Sequence, residues 1–196
     1  MSKVGIFGGS FNPPHIGHLR LALSAAKELS LDKVLIIPAL KPPHKVNPAL
    51  ASPSDRLRMC ELTFTDKVFE VSDMELHREG KSYTIDTIRA IRRQNPDDKL
   101  FLIVGADMLL SFHTWKDYKD ILSLCTLVAA VREGDGSEEL SAYKDKMLTG
   151  FDVRILEFTP IPISSSEIRE SIKETGTSEF ITLEVKEYIE SRMLYK

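Results

Sequence analysis

Residues 3–18 read Lys3-Val-Gly-Ile-Phe-Gly-Gly-Ser-Phe-Asn-Pro-Pro-His-Ile-Gly-His18. Lys3–Phe7 is a short apolar run of strand character that ends in Gly8-Gly9. Just beyond it, Leu19, Leu23, Ala26 and Leu29 recur at helical spacing and predict a helix over 16–29. Two glycines after a strand let backbone N–H groups approach an anion closely and point at it. Pro14 presets the chain for the helix, whose N-terminus adds positive potential. His15 and His18 are three apart and so share a helix face, and Gly17 between them leaves room for a ligand against the helix. Gly8, Gly9, Ser10 and Phe11 with the two imidazoles thus predict a phosphate site. A plain tight turn and a zinc-binding histidine pair are the competing readings. The second lacks nearby thiolates or carboxylates to complete a tetrahedral set.

Working outward, short β-rich runs alternate with helical patterns. Further strands are predicted over 33–38, 68–72, 100–104, 126–131 and 153–158, and helices from near Ser54 and over 84–93, 115–124, 166–173 and 182–193. Uninterrupted apolar strands alternating with helices predict an α/β fold with a doubly wound, mostly parallel sheet covered on both faces. The chain reads as a single domain over 1–196 with a small C-terminal helical portion from about 164 to 196. In such sheets ligands bind beyond the carboxyl ends of the strands, where the strand order switches.

The chain has 196 residues, 26 Lys/Arg and 29 Asp/Glu, for a net charge of −3. This balance argues against a nucleic-acid coat or a polybasic membrane binder. The first 58 residues, however, carry net +5 and three of the five histidines, against −8 for the rest. Two cysteines, Cys60 and Cys125, cannot form a disulfide framework and suggest a reducing compartment. Met1–Ser10 lacks the pattern of a secretion signal, and Ile121–Val131 is too short to span a bilayer. A soluble, cytoplasmic protein is expected.

Four further stretches follow predicted strands. Ile163-Ser164-Ser165-Ser166-Glu167-Ile168-Arg169 offers hydroxyls and N–H groups at a helix start, with Arg169 one turn on. Lys41-Pro-Pro-His44-Lys45 is a rigid, basic loop. Gly105-Ala106-Asp107-Met108 places a carboxylate at a strand end, where it suits ribose hydroxyls or a helix cap. Ser82-Tyr83-Thr84-Ile85-Asp86-Thr87 is a helix start, and Trp115 is the lone tryptophan. Taken singly, each has an ordinary structural reading as a cap, loop or core residue.

Together they resemble a family. His15-Ile16-Gly17-His18 is similar to the HxGH signature of nucleotidyltransferases, which class I aminoacyl-tRNA synthetases share. The Ser-rich stretch with Arg169, the Pro-Pro-His-Lys loop, the Ser-Tyr-Thr segment, the Gly-Ala-Asp motif and the terminal pattern of 185–195 resemble nicotinate mononucleotide adenylyltransferases. The resemblance spans nearly the whole chain and implies a Rossmann-like fold. It implies transfer of AMP from ATP, with Mg²⁺, to nicotinate mononucleotide, giving deamido-NAD and pyrophosphate.

By this resemblance His18, His15, Lys45 and Arg169 are catalytic. Gly8, Gly9, Ser10, Phe11, Gly105, Asp107, Arg132, Ile163, Ser164, Ser165 and Ser166 bind ATP. Thr84, Trp115, Tyr118 and His44 bind the mononucleotide, with Trp115 stacking on the pyridine ring. No metal is assigned to protein ligands, no nucleic acid or membrane partner is implied, and the oligomeric state is open, a homo-oligomer included. Phosphopantetheine adenylyltransferase, a tRNA synthetase and a non-catalytic nucleotide sensor are the alternatives. The first lacks the combined motifs, the second needs a Lys-rich loop not found here, and the intact His15, His18 and Arg169 oppose the third.

Overall fold

Six strands lie parallel in one sheet of the computed structural model, which describes residues 1–42, 50–132, 137–159 and 161–196. They are β1 (Lys3–Gly9), β2 (Lys33–Pro38), β3 (Phe69–Val71), β4 (Lys99–Gly105), β5 (Thr126–Arg132) and β6 (Val153–Phe158), in spatial order β3-β2-β1-β4-β5-β6. All five pairings are parallel, with Val4 opposite both Lys33 and Leu100 at the centre. The chain starts in the middle, winds outward through β2 and β3, then crosses to β4. The strand order therefore reverses between β1 and β4, the place where a doubly wound sheet opens a crevice.

Helices cover both faces, as the alternation predicts. α1 (Ile16–Leu29) and α2 (Pro53–Thr63) pack on one side, where Phe7, Ala22, Ala25, Val34, Ile36 and Cys60 are buried together. α3 (Thr84–Gln94) and α5 (Tyr118–Leu124) cover the other, with Ile85, Ile88, Ile91 and Ile121 against Val4, Ile6 and Leu102. Side chains alternate across a strand, so Val34 and Ile36 face one layer and Leu35 and Ile37 the other. α7 (Ser165–Thr175) and α8 (Leu183–Ser191) bury Ile168, Ile172, Val185 and Ile189 with Met59 of α2. Among the described residues no helix is long and apolar enough to cross a membrane. Cys60 and Cys125 are both buried and free.

The departures from expectation are local. Gly8 and Gly9 continue β1 instead of forming the turn, because the ladder to β2 runs on to Gly9 opposite Pro38. The helix predicted over 115–124 starts only at Tyr118, as α5, since Trp115 is extended and Asp117 is left-handed at φ 52°; a 3-10 turn, Phe112–Thr114, precedes it. α4 (Ala106–Leu110) and α6 (Ser137–Met147) were not expected. α4 is under two turns long and has no capping side chain, while α6 is mostly polar, with Leu140 as its buried anchor.

Candidate functional site

β1 delivers its last residues to the crevice, and the chain then turns sharply through Ser10–Pro14. Phe11 adopts φ 46°, unusual for a bulky residue. It is held there by its buried ring, which meets Phe7, His18 and Phe64 edge-on at centroid distances of 5.5, 5.1 and 5.8 Å. His15 is the N-cap of α1 and not part of the helix proper. Its ring lies over that of His18 with centroids 3.7 Å apart, and its backbone N–H donates to His18 Nδ1 at 3.3 Å. A neutral His18 therefore carries its proton on Nε2, which makes that nitrogen a donor.

The space beside Gly17 is occupied by protein, contrary to the expectation that a ligand would use it. A Cβ at Gly17 would stand 3.0 Å from the His15 ring, so the glycine allows the imidazole to fold back over the helix start. His15 Nδ1 is buried and has no hydrogen-bond partner. Burial lowers the His15 pKa from 6.5 to about 4, so the ring is neutral near pH 7.

The start of α7 is fastened to the same turn. Ser164 and Glu167 form a capping box, with Ser164 N–H donating to Glu167 Oε2 at 2.7 Å. Hydrogen bonding to Ser164 holds the Glu167 carboxyl below the usual range. The Ser165 hydroxyl donates to the Pro13 carbonyl at 2.9 Å. Arg169 donates through Nη1 to the Asn12 carbonyl at 2.8 Å and through Nη2 to Ser166 Oγ at 3.1 Å. No carboxylate among the described residues pairs with the Arg169 charge, which lies beside N–H groups of a helix N-terminus, an arrangement suited to phosphate.

These groups line a cleft of about 500 Å³ between the carboxyl ends of β1 and β4. Gly8, Gly9, Ser10, Phe11, His15 and His18 form one wall, and Ile163, Ser164, Ser165, Ser166 and Arg169 another. Gly105, Asp107, Thr84 and Trp115 line the rest. A Cβ at Gly105 would lie 2.8 Å from Asp107 Oδ1, so the glycine lets the Asp107 carboxylate curl back toward the strand end. Trp115 is half-buried, its ring centroid 4.9 Å from Phe112. Tyr118 stands at the start of α5 and is not among the lining residues. Arg132 closes β5. His44 and Lys45 lie outside the described residues.

Several residues of the site escape sequence reasoning. Asn12 is buried, and its Oδ1 accepts from Ala51 N–H at 2.9 Å and from the Tyr195 hydroxyl at 2.8 Å. Arg56 of α2 is fully buried and donates to the carbonyls of Ser10 (2.8 Å), Ala51 (3.1 Å) and Leu40 (3.3 Å). It ties the phosphate-type turn to both sides of the basic loop, and its burial lowers its pKa. Its neighbour Asp55 accepts from the Tyr188 hydroxyl at 2.9 Å and Arg192 Nε at 3.2 Å, so both tyrosines of the terminal pattern reach back toward the site. Glu75, Ser82, Tyr83, Thr87 and Lys116 also line the cleft. The helix start over 82–87 signalled three of these, Ser82, Tyr83 and Thr87; Arg56 and Glu75 had no local pattern to mark them.

Comparison with known proteins shows the family. A Cytidylyltransferase-like family model matches residues 6–171. A Neisseria meningitidis protein named "Probable nicotinate-nucleotide adenylyltransferase" is 40% identical over 201 residues, covering all of both chains. A Halalkalibacterium halodurans protein of the same name is 39% identical, covering all of this chain and 92% of its own. The fold is similar to Plasmodium falciparum nicotinic acid mononucleotide adenylyltransferase complexed with NaAD, with a TM-score of 0.79 at 17% identity over 100% and 98% of the two chains. On the family match and the full-length identity to these relatives, the chain belongs to the cytidylyltransferase-like family, among the nicotinate-nucleotide adenylyltransferases.

Proposed function

We infer that this enzyme transfers AMP from ATP to nicotinate mononucleotide, forming nicotinate adenine dinucleotide and pyrophosphate in NAD biosynthesis. The observation that carries the reading is the joining of Arg169 and the serine-rich α7 start to the His15–His18 turn across one cleft. The full-length relatives at about 40% identity bear the matching name.

In the reaction a mononucleotide phosphate oxygen bonds to the α-phosphorus of ATP while the bond to the bridging α,β-oxygen breaks, releasing pyrophosphate. The mononucleotide phosphate has a second pKa near 6 and is mostly dianionic at neutral pH, so it needs no protein base. Catalysis then rests on positioning and on stabilising charge as it shifts to the leaving group. In our reading the His18 Nε2–H donates to the α-phosphate. His15 stays neutral until an anion arrives, whose charge raises its pKa. Ser165, Ser166 and Arg169 hold the β- and γ-phosphates, and Lys45 adds a further cation. Asp107 takes the ribose hydroxyls, with Gly8, Gly9, Ser10, Phe11, Gly105, Arg132, Ile163 and Ser164 completing the ATP site. Trp115 stacks on the pyridine ring near Thr84, joined by His44; Tyr118, which does not line the cleft, is not part of this set.

The groups at the phosphate end are imidazoles, hydroxyls and a guanidinium, not the carboxylates that would hold a hard cation directly. This set fits a magnesium ion that arrives on ATP, bound by phosphate oxygens and water. When present, that ion neutralises phosphate charge.

Incubation with ATP, Mg²⁺ and either nicotinate mononucleotide or its amide, with pyrophosphate measured, tests the reading. Release with the acid is expected; no release with either mononucleotide contradicts it.

A further inference from the structure

Glu75 lies on the connection between β3 and α3, is 6% exposed, and lines the cleft beside Thr84, Thr87 and Trp115. Its Oε1 accepts a hydrogen bond of 2.5 Å from the Thr87 hydroxyl, which itself accepts from Arg78 Nη1 at 2.8 Å. Arg78 thus reaches the threonine and not the carboxylate. The second oxygen, Oε2, makes no hydrogen bond or ion pair with any described residue, and it is not sealed away from solvent. Lys116, the other charged side chain lining this end, has its Nζ 4.5 Å from the centre of the Tyr83 ring and 3.8 Å from Asp86.

Among the described residues no cation touches this carboxylate, and the Arg78 guanidinium is held one hydroxyl away on Thr87, so the hydration lost at this depth is only partly offset, which costs stability. The deficit is removed when a positively charged ligand enters. The ring of a pyridine mononucleotide is such a group, because its nitrogen is bonded to ribose and carries a formal positive charge. We propose that Glu75 is a specificity residue that recognises the cationic pyridinium ring of the mononucleotide. The inference rests on the substrate reading above and deepens it. Trp115 supplies a flat apolar surface for the ring, and Glu75 supplies the charge that separates a pyridinium from a neutral ring of the same shape.

The reduced, 1,4-dihydropyridine form of nicotinate mononucleotide has the same substituents and a neutral ring, so it isolates this charge. Pyrophosphate release is measured with each form as substrate or competitor, for the wild type and Glu75→Gln. The wild type is expected to favour the pyridinium form by about tenfold or more. Glu75→Gln is expected to raise KM for the pyridinium form by about tenfold, with affinity for the dihydro form, KM for ATP and kcat within about twofold. An equal rise for both ring forms overturns the proposal, since it marks Glu75 as a prop for α3 through Thr87. A wild type without preference for the charged ring overturns it even if the variant does not fold. Absence of pyrophosphate from the wild type with any mononucleotide overturns the substrate reading itself.

Discussion

Arg169 Nη1 donates to the backbone carbonyl of Asn12 at 2.8 Å, joining residues 157 positions apart. One end of this bond is the turn that follows the central strand; the other is the second turn of the helix that follows β6. The bond sets the distance between the two candidate phosphate-binding walls; Nη1 also donates to the Ser165 carbonyl, and Nη2 is left on the Ser166 hydroxyl.

Arg169→Ala removes both the fastening and the charge. We expect kcat/KM for ATP to fall by about 10²–10³-fold, the scale for loss of a donor aimed at developing charge. Arg169→Lys should recover little of it, because a single ammonium cannot reproduce a planar fork that serves a carbonyl and a phosphate together. Steady-state kinetics on the two variants check both statements.

His18→Ala should lower kcat by about 10²–10³-fold while KM for the mononucleotide changes little. Its side chain is half-buried, so circular dichroism and melting should report a folded protein. A variant that turns over at the wild-type rate contradicts the role given to His18.

His15 makes stability pH-dependent. Its pKa is about 4 in the folded chain against 6.5 for an ordinary histidine, so between these values the unfolded chain binds the extra proton. Stability contributed at this site is therefore constant above about pH 6.5 and declines as the pH drops toward 4, by up to roughly 3 kcal/mol. His15→Gln should flatten the fall in melting temperature between pH 7 and pH 5. Equal pH dependence in both proteins would contradict the assignment.

Tyr195→Phe deletes the hydroxyl that donates to Asn12 Oδ1 at 2.8 Å. Asn12 keeps its bond from Ala51, so the loss of stability should be about 1 kcal/mol. The turn loosens, and KM for ATP should rise more than kcat falls. Asn12→Ala, which removes both bonds, should be the more damaging change in denaturant melts.

The sheet was legible because buried parallel strands write themselves as unbroken apolar runs: Lys33–Pro38 and Val153–Phe158 match their predicted bounds. The turn between β1 and α1 was legible for a related reason, since strand end, prolines and histidines fall within one short stretch. The helix break at Trp115–Asp117 was not, because it depends on a left-handed Asp117 that no glycine or proline announces. Asn12, Arg56 and Glu75 owe their roles to partners brought up by the fold. Arg56 meets Ser10 from 46 residues away and Asn12 meets Tyr195 from 183. A periodicity scan sees only a polar residue in a loop or a cation on a helix. The basic excess of the first 58 residues is a weaker guide: among the described residues its lysines and arginines do not line the cleft, where this segment contributes His15 and His18, and Lys45 lies outside the described residues.

The central claim is transfer of the α-phosphoryl adenosine unit, and label tracing tests it most directly. With nicotinate mononucleotide, Mg²⁺ and ATP labelled at the α-phosphorus, the label should pass into nicotinate adenine dinucleotide; with γ-labelled ATP it should appear in pyrophosphate, in equal molar amount. Label released instead as AMP or orthophosphate, with no dinucleotide formed, would contradict the account.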